Sequence, residues 1–124
     1  MIESLKNLPH FQGVDSKVIE RLVMNKQILQ RSYNKGVTVH EQYTECYGMD
    51  IILSGKLTAY SLAPNGSETI VFEFSKDNII GANLLFGEQN KYPMNIYCTA
   101  DCILFHVSKA AVNELLKEYS FVMQ

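Results

Sequence analysis

The sequence has no apolar run that approaches the roughly 18 residues of a membrane-spanning helix. Its N-terminus also lacks the basic stretch followed by an apolar stretch that marks a secretory signal peptide. Lysine and arginine occur singly, without a basic stripe along any predicted element, and the net charge is -2. These absences predict a cytoplasmic protein with no membrane partner, and they argue against nucleic-acid binding by this chain itself.

Proline is scarce, with three residues in 124, and no low-complexity tract interrupts the chain. Hydrophobic residues make up 47% of the sequence and charged residues 19%. A chain of this size and composition buries about two-thirds of the surface that its unfolded state exposes. We therefore expect residues 1–124 to form a single ordered domain.

Cysteine is limited to Cys46, Cys98 and Cys102, without CxxC spacing. Residues 1–45 contain none, so a four-thiolate iron–sulfur site cannot be assembled from the N-terminal part of the chain. Cys98 and Cys102 flank a predicted turn between strands, which would bring the two thiols close together. Ordinary buried thiols and a redox pair are both compatible with this pattern.

Catalytic motifs are missing as well. The chain has no G-x-S-x-G, H-E-x-x-H or P-loop motif, so nucleophilic and phosphoryl-transfer chemistry have no support. His10, His40 and His106 are isolated, without the H-x-H or H-x-x-x-H spacing by which a strand presents metal ligands. We expect no catalytic residue, no metal ligand and no cofactor. A cupin-like metal-dependent enzyme, in which His40 and His106 would have to converge, is the alternative.

The centre of the chain predicts a β-hairpin. Residues 57–63 and 69–74 are rich in aromatic, β-branched and leucine residues, and Pro64-Asn65-Gly66-Ser67 lies between them. Asn-Gly is a strong hairpin signal because both residues tolerate the positive φ angles of a primed turn. After a polar turn, residues 79–86 leave a strand, pass a glycine and have room for a single helical turn.

The segments on either side of this hairpin have clear periodicities. Apolar residues at helical spacing predict helices at Ser16–Met24, after an Asp15 N-cap, and at Lys109–Tyr119, after a Ser108 N-cap. Residues 121–124 stay apolar without a stop signal, which predicts that a longer chain continues into another helix. Further elements are predicted as a short helix at 4–7 and strands at 27–31, 37–41, 49–53, 94–98 and 103–107.

Three strings of the sequence resemble the cyclic-nucleotide-binding domain of the catabolite-activator and fumarate-nitrate-regulator (Crp/Fnr) family of bacterial transcription regulators. They are Ile52–Leu57, Asn65–Glu68, and Ile80-Gly81 followed by Leu85-Phe86. The resemblance extends from about residue 8 to about residue 116. It implies a mainly β fold, a double-stranded β-helix or jelly roll (a β-roll) with flanking N- and C-terminal α-helices, in which residues 81–93 form the phosphate-binding cassette.

The resemblance also implies a role. It implies that the chain is an effector-sensing domain and not an enzyme. The dimer helix and the DNA-reading helix-turn-helix of the family would lie on a C-terminal part that is absent from these residues. The full-length protein is then expected to be a homodimer that contacts DNA only through that part.

In nucleotide-binding members of this family, an arginine of the cassette pairs with the phosphate, a neighbouring serine or threonine donates a hydroxyl bond, and a glutamate after the glycine holds the ribose. Aligned on Gly81, these three positions are Tyr92, Pro93 and Ala82. Tyr92 carries no charge at neutral pH, and Pro93 has neither a hydroxyl nor a backbone N–H. The effector is therefore expected to be a small molecule other than a cyclic nucleotide.

The rest of the cassette still predicts a ligand site. Backbone N–H groups at the start of a one-turn helix would hold an anion, and aromatic side chains would contact an apolar body. The expected effector is thus anionic with an apolar body. Lys91 is the one candidate to replace the arginine, and a ligand-free β-roll that serves as a packing or dimerisation platform is a further alternative. The predicted ligand-binding residues are Phe72, Phe74, Gly81, Ala82, Asn83, Leu84, Leu85, Tyr92 and Pro93.

Overall fold

The computed structural model describes residues 1–119, which form a β-roll flanked by helices. The strands of this part of the chain are β1 Ile28–Tyr33, β2 Thr38–His40, β3 Gly48–Ser54, β4 Leu57–Leu62, β5 Glu68–Phe74, β6 Ile79–Ile80, β7 Asn95–Cys98 and β8 Cys102–Ser108. They make two four-stranded antiparallel sheets, ordered β1-β8-β3-β6 and β2-β7-β4-β5. The predicted mainly β roll with flanking helices is confirmed.

Three α-helices flank the sheets within the described residues: α1 Ile2–Lys6, α2 Ser16–Met24 and α3 Lys109–Glu118. The two predicted N-caps are present, since Asp15 Oδ1 accepts from the Lys17 amide at 2.8 Å and Ser108 Oγ accepts from the Ala111 amide at 3.1 Å. An ion pair between Arg21 and Glu114 joins α2 to α3. The predicted continuation at residues 121–124 lies outside the described residues, and no helix within them is long and apolar enough to cross a membrane.

The central hairpin is present, but its turn differs from the prediction. The Gly66 amide donates to the Ala63 carbonyl at 2.9 Å, so Pro64 and Asn65 are the central residues of the turn. Gly66 has a φ of 84°, whereas Asn65 does not have a positive φ. The predicted primed Asn-Gly turn is therefore wrong. Pro64 explains the difference, because its ring fixes the negative φ that the second residue of an ordinary β-turn requires.

A buried carboxylate connects the two sheets. Asp50 of β3 is 1% exposed, and its oxygens lie 2.6 Å from His40 Nε2 of β2 and 2.8 Å from His106 Nδ1 of β8. An ionised carboxylate can only accept, so both facing ring nitrogens carry protons. We call these three residues the carboxylate bridge. Sequence spacing indicated isolated histidines, and the fold instead brings His40 and His106 together on Asp50.

The carboxylate of the bridge is held in its ionised form. Burial raises the pKa of Asp50, but hydrogen bonds from His106 and His40, together with their charge, outweigh that effect and lower the pKa below its ordinary value. A buried charge without such partners would cost several kcal/mol. The pairing of Asp50 with both histidines is therefore a condition for closing the two sheets around it.

Replacing Asp50 tests this dependence. Asp50→Asn is expected to lower the free energy of unfolding at pH 7 by about 3 to 5 kcal/mol, because it removes one partner of a buried charge pair. Urea denaturation measures the change. Asp101→Asn is the control, because Asp101 is exposed and its Oδ1, which accepts from the Lys35 amide at 2.8 Å, is retained in the variant. Asp101→Asn should lower the free energy of unfolding by less than about 0.5 kcal/mol.

The pH dependence gives the same prediction a second readout. Since the folded pKa of Asp50 lies below the unfolded value of about 3.9, its stabilisation is fully present above that value. The stabilisation is then lost as the pH falls through the folded pKa. The difference in the free energy of unfolding between the wild type and Asp50→Asn should therefore become smaller below about pH 4. An Asp50→Asn effect no larger than that of Asp101→Asn would contradict the role of the bridge.

Candidate functional site

A cavity of about 210 Å³ opens between β5 and the segment that follows β6. Its wall is mostly aliphatic and aromatic. Ligand cavities in proteins usually measure about 300–1,000 Å³, so this one suits only a compact ligand. The lining residues are Ala59, Phe72, Phe74, Ile79, Ile80, Gly81, Asn83, Leu84, Tyr92, Pro93, Met94 and Ile96.

Seven of the nine predicted site residues line this cavity: Phe72, Phe74, Gly81, Asn83, Leu84, Tyr92 and Pro93. The other two do not. Leu85 is fully buried in the hydrophobic core, and Ala82 packs against that core. The side chains of both residues therefore belong to the core side of this segment, and their role in ligand binding stays a prediction.

Phe72 and Phe74 form the outer wall of the cavity. They are two residues apart and lie on the same face of β5, with their ring centroids 6.2 Å apart. Phe72 is 52% exposed because β5 is the edge strand of its sheet and pairs on one side only. Phe72 is therefore a rim residue and not part of the core.

Gly81 allows the cassette to pass close to the end of β3. Its φ is 91°, in the left-handed region that favours glycine. A Cβ at this position would lie 3.0 Å from Cys46 Sγ and 3.1 Å from the Gly48 carbonyl oxygen. Any larger residue would push the cassette away from the strand and change the floor of the cavity.

The expected one-turn helix after Gly81 is replaced by two successive hydrogen-bonded turns. The Leu84 amide donates to the Gly81 carbonyl at 3.0 Å, and the Gly87 amide donates to the Leu84 carbonyl at 3.3 Å. No helix N-terminus is therefore available to an anion here. Among the amides of residues 83–85, that of Leu84 is already used, while those of Asn83 and Leu85 have no partner among the described residues.

Tyr92 lines the cavity and carries a buried hydroxyl that lies beside Gly81. The residue is 2% exposed, and its ring stacks on His40 with centroids 4.0 Å apart at an angle of 15°. Its hydroxyl is buried and has no hydrogen-bond partner within residues 1–119. Burial raises the pKa of Tyr92 well above its ordinary value, and the nearby Cys46 thiol and Asp50 charge raise it further. The hydroxyl is thus a neutral, unused donor at physiological pH.

Sequence reasoning identified Tyr92 as the position of the missing arginine but not the groups behind it. Asp50, His40 and Cys46 lie around the tyrosine, and the Cys46 thiol donates to the Gly48 carbonyl at 3.1 Å. One signal was available: a single acidic residue within an otherwise apolar strand has to be paired when that strand is buried. A histidine ring N–H can donate to such a carboxylate, and the chain has three histidines.

The other two thiols belong to the core. Cys98 and Cys102 are buried and free, and Cys102 Sγ donates to the Lys56 carbonyl at 3.2 Å. Burial raises the pKa of Cys98 to about 12, and a hydrogen bond with Cys102 adds to this. The reactive form of cysteine is the thiolate. Cys98 is therefore a poor nucleophile, which favours the interpretation of ordinary buried thiols over that of a redox pair.

No group of three or more His, Cys, Asp or Glu in residues 1–119 is placed so that it could hold a metal ion. The histidine nitrogens that converge do so on Asp50 and not on an open point.

Comparisons of the chain with solved structures identify the same fold in bacterial regulators. The sensor domain of the transcriptional regulator DNR from Pseudomonas aeruginosa superposes with a TM-score of 0.80 at 19% identity, covering 95% of this chain and 77% of that one. Catabolite Activator Protein from Thermus thermophilus superposes with a TM-score of 0.70 at 16% identity, covering 88% of this chain and 50% of that one. The c-di-GMP responsive global regulator CLP from Xanthomonas campestris superposes with a TM-score of 0.69 at 18% identity, covering 84% of this chain and 49% of that one.

The chain spans about half the length of the last two proteins. No curated protein sequence matches it significantly. The model of the family described as "Cyclic nucleotide-binding domain" matches residues 30–119, which is well over half of the chain and agrees with the resemblance seen in the sequence. The protein therefore belongs to the cyclic nucleotide-binding domain family.

Proposed function

We propose that this chain is the effector-sensing domain of a bacterial Crp/Fnr-type transcription regulator, and that the cavity beside Tyr92 binds a small molecule other than a cyclic nucleotide. The observation that carries the proposal is the cavity itself, which Phe72, Phe74 and Tyr92 line and behind whose wall the Tyr92 hydroxyl is buried without a partner among residues 1–119. An unsatisfied buried donor costs about 1–3 kcal/mol. A ligand that shifts the neighbouring cassette at Gly81 and accepts from this hydroxyl would remove that cost.

The remaining wall defines the rest of the ligand. Aromatic rings of β5 lie on one side of the cavity, and aliphatic side chains of β6 and β7 lie on the other. Such a lining favours a compact apolar body with one hydrogen-bond acceptor. The volume of about 210 Å³ favours a molecule the size of a single substituted ring over a nucleotide.

The cassette chemistry also argues against a cyclic nucleotide. Tyr92 occupies the position of the family arginine, and the ionised Asp50 lies behind it, so a phosphate would meet no compensating cation there. Lys91 does not replace the arginine, because it is exposed, does not line the cavity and pairs through its backbone with Glu45.

The regulator role extends beyond this chain. DNA binding is proposed for a C-terminal helix-turn-helix and homodimer formation for the helix before it, in a cytoplasmic full-length protein. Lys and Arg total 11 against 13 Asp and Glu, so the chain has no net positive charge to attract a phosphate backbone. A metal-dependent enzyme is less well supported, because the ring nitrogens of His40 and His106 that converge are bound to Asp50.

A ligand-free β-roll that acts as a packing platform is the second candidate function. The observation in its favour is the apolar character of the exposed strand β5, where Ile70, Val71 and Phe72 are 64%, 47% and 52% exposed. Apolar surface of this kind on an edge strand often marks a contact with another chain or domain. The two candidates differ in whether the cavity binds anything.

Cyclic AMP should not bind this domain in the micromolar range. The three missing side-chain contacts contribute about 1.5 to 3 kcal/mol each in a charged hydrogen-bonded site, so their loss weakens binding by at least a thousandfold or so. Isothermal calorimetry and thermal-shift titration with cyclic AMP measure this. Binding at micromolar concentration or below would mean that the cassette is aligned incorrectly and that Lys91 is its cation.

Tyr92→Phe should separate stability from ligand binding. Removing an unpartnered buried hydroxyl is expected to leave the free energy of unfolding unchanged or to raise it by up to about 1 kcal/mol. The same change should weaken the binding of benzamide, a neutral ring with one carbonyl acceptor, by about tenfold, as expected for one lost hydrogen bond. Urea denaturation and an NMR titration that follows the amides of Gly81 and Asn83 give the two quantities.

Tyr97→Phe is the matched control, because Tyr97 packs edge-on against Tyr60 at 5.3 Å and does not line the cavity. It should leave benzamide binding unchanged. Equal binding of benzamide to the wild type and Tyr92→Phe would contradict the role of the hydroxyl. No binding of benzamide to either protein would favour the packing platform.

A further inference from the structure

Another cavity, which we call the N-terminal cavity, lies between the first helical segments of the chain and the turn that joins β5 to β6. Its volume is about 330 Å³. This value falls within the range of about 300–1,000 Å³ that is usual for ligand sites. The N-terminal cavity shares no lining residue with the cavity beside Tyr92. The residues that line it are Ser4, Asn7, Leu8, Pro9, Leu53, Lys76 and Asp77.

The turn that carries the two charged lining residues is fixed on β3. The Asp77 amide donates to the Ile52 carbonyl at 2.8 Å, and the Ile52 amide donates to the Asn78 carbonyl at 3.0 Å. Asn78 Oδ1 accepts from the Ser75 amide at 2.9 Å, which closes the turn. This wall of the N-terminal cavity is therefore held in place before any ligand binds, which lowers the entropic cost of binding.

Asp77 has an unusual backbone conformation for a residue with a side chain. Its φ is 73°, in the left-handed region where glycine is the usual residue. Aspartate and asparagine tolerate this region better than other residues do, because their short polar side chains can form local hydrogen bonds. Residues held in this region are concentrated at functional sites.

The charge of the Asp77 side chain is poorly compensated. Its Oδ1 is buried and has no hydrogen-bond partner within residues 1–119. Neither Asp77 nor Lys76 forms an ion pair in this part of the chain, and Lys6 of α1 lies 4.0 Å from the carboxylates of Glu3 and Glu20. A cation in the adjoining cavity would stabilise the Asp77 carboxylate through its charge, without having to reach the buried oxygen.

The lining of the N-terminal cavity selects against a ligand with a single charge. A simple cation would be repelled by Lys76, and a simple anion would be repelled by Asp77. A molecule that carries both charges can place its cation beside the carboxylate and its anion beside the ammonium group. The apolar part of the wall, formed by Leu8, Pro9 and Leu53, suits an aliphatic group on the same molecule.

We infer that the N-terminal cavity binds a small zwitterion of the α-amino acid type with an aliphatic side chain. Asp77 contacts the ammonium group of this ligand, Lys76 contacts its carboxylate, and the apolar wall contacts its side chain. The site is separate from the cavity beside Tyr92, so the inference goes beyond the proposed sensing function and does not depend on it.

Leucine is a suitable probe, because two analogues of similar shape each lack one of its charges. Isoamylamine has the amine without the carboxylate, and isocaproate has the carboxylate without the amine. NMR titrations of the 124-residue chain at neutral pH, followed at the amides of Asn7, Leu53 and Asp77, give the three affinities. We expect leucine to bind, and each analogue to bind at least about tenfold more weakly because one charged contact is lost.

Variants assign the contacts to the two charged residues. Asp77→Asn keeps the shape of the side chain and suits the left-handed backbone, so this variant should fold. Asp77→Asn and Lys76→Gln should each weaken leucine binding by about tenfold. Asp101→Asn and Lys91→Gln are the matched controls, because both residues are exposed and neither lines the N-terminal cavity. The controls should leave leucine binding unchanged.

Urea denaturation separates ligand binding from a structural role of Asp77. A ligand that binds only the folded state raises the midpoint of unfolding. Asp77→Asn should have the same midpoint as the wild type without leucine, and it should lose most of the increase that leucine causes in the wild type. A lower midpoint without leucine, together with an unchanged increase on adding leucine, would show a structural role and overturn the assignment of Asp77.

The analogues test the inference on the unmodified chain. Binding of isocaproate or isoamylamine as tight as that of leucine would overturn the zwitterionic ligand class. Failure of leucine to bind at millimolar concentration would overturn the inference as a whole. That failure would leave the proposed function in place, since benzamide binding beside Tyr92 is measured at a different cavity.

Discussion

The pairing of Asp50 with two histidines is the constraint on which the rest of the structure depends. A carboxylate that is 1% exposed is tolerated only when both of its oxygens are bound, and the two donors come from different sheets. The register of β3 against β8 places Asp50 opposite His106. Gly48 completes the arrangement, since a Cβ there would lie 2.6 Å from His106 Nε2. The strand positions are thus set by a polar requirement inside an apolar core.

The same pairing positions the cassette. His40, held by Asp50, offers a flat imidazole surface on which Tyr92 stacks. The backbone of Tyr92 is fixed at the same time, because its amide donates to the Thr44 carbonyl at 2.9 Å and its carbonyl accepts from the Tyr43 amide at 2.7 Å. The side chain of Tyr92 is therefore built firmly into the wall of the cavity.

Local features of the fold were predictable and long-range ones were not. Asp15 and Ser108 have the side chains that cap helices, and the helix after each begins where the sequence predicted. The hairpin position was predictable from its apolar runs, but its turn was not, because Pro64 overrides the preference of Asn65 for a positive φ. The turn after Gly81 has no N-cap side chain or apolar periodicity to sustain a helix, and two single turns form instead.

The site shows the same division. Seven predicted residues line the cavity because the cassette and the hairpin are contiguous segments whose proximity the family resemblance implies. The bridge was not predictable, because 10 residues separate His40 from Asp50 and 56 separate Asp50 from His106. Only the register of three strands in two sheets brings them together. Spacing rules for metal ligands do not apply to histidines whose common partner is a carboxylate.

The two walls of the cavity differ in how they are held in place. The inner wall is Tyr92, whose position is fixed by stacking on His40 and by backbone hydrogen bonds on both sides. The outer wall is β5, an edge strand that pairs only with β4 and whose register shifts between Ala59 and Tyr60. In the proposed sensing role, a ligand in the cavity would lie between a wall fixed by hydrogen bonds and stacking and a strand that pairs on one side only. In that role, a ligand that favoured one position of β5 would also shift the exposed apolar surface formed by Ile70, Val71 and Phe72.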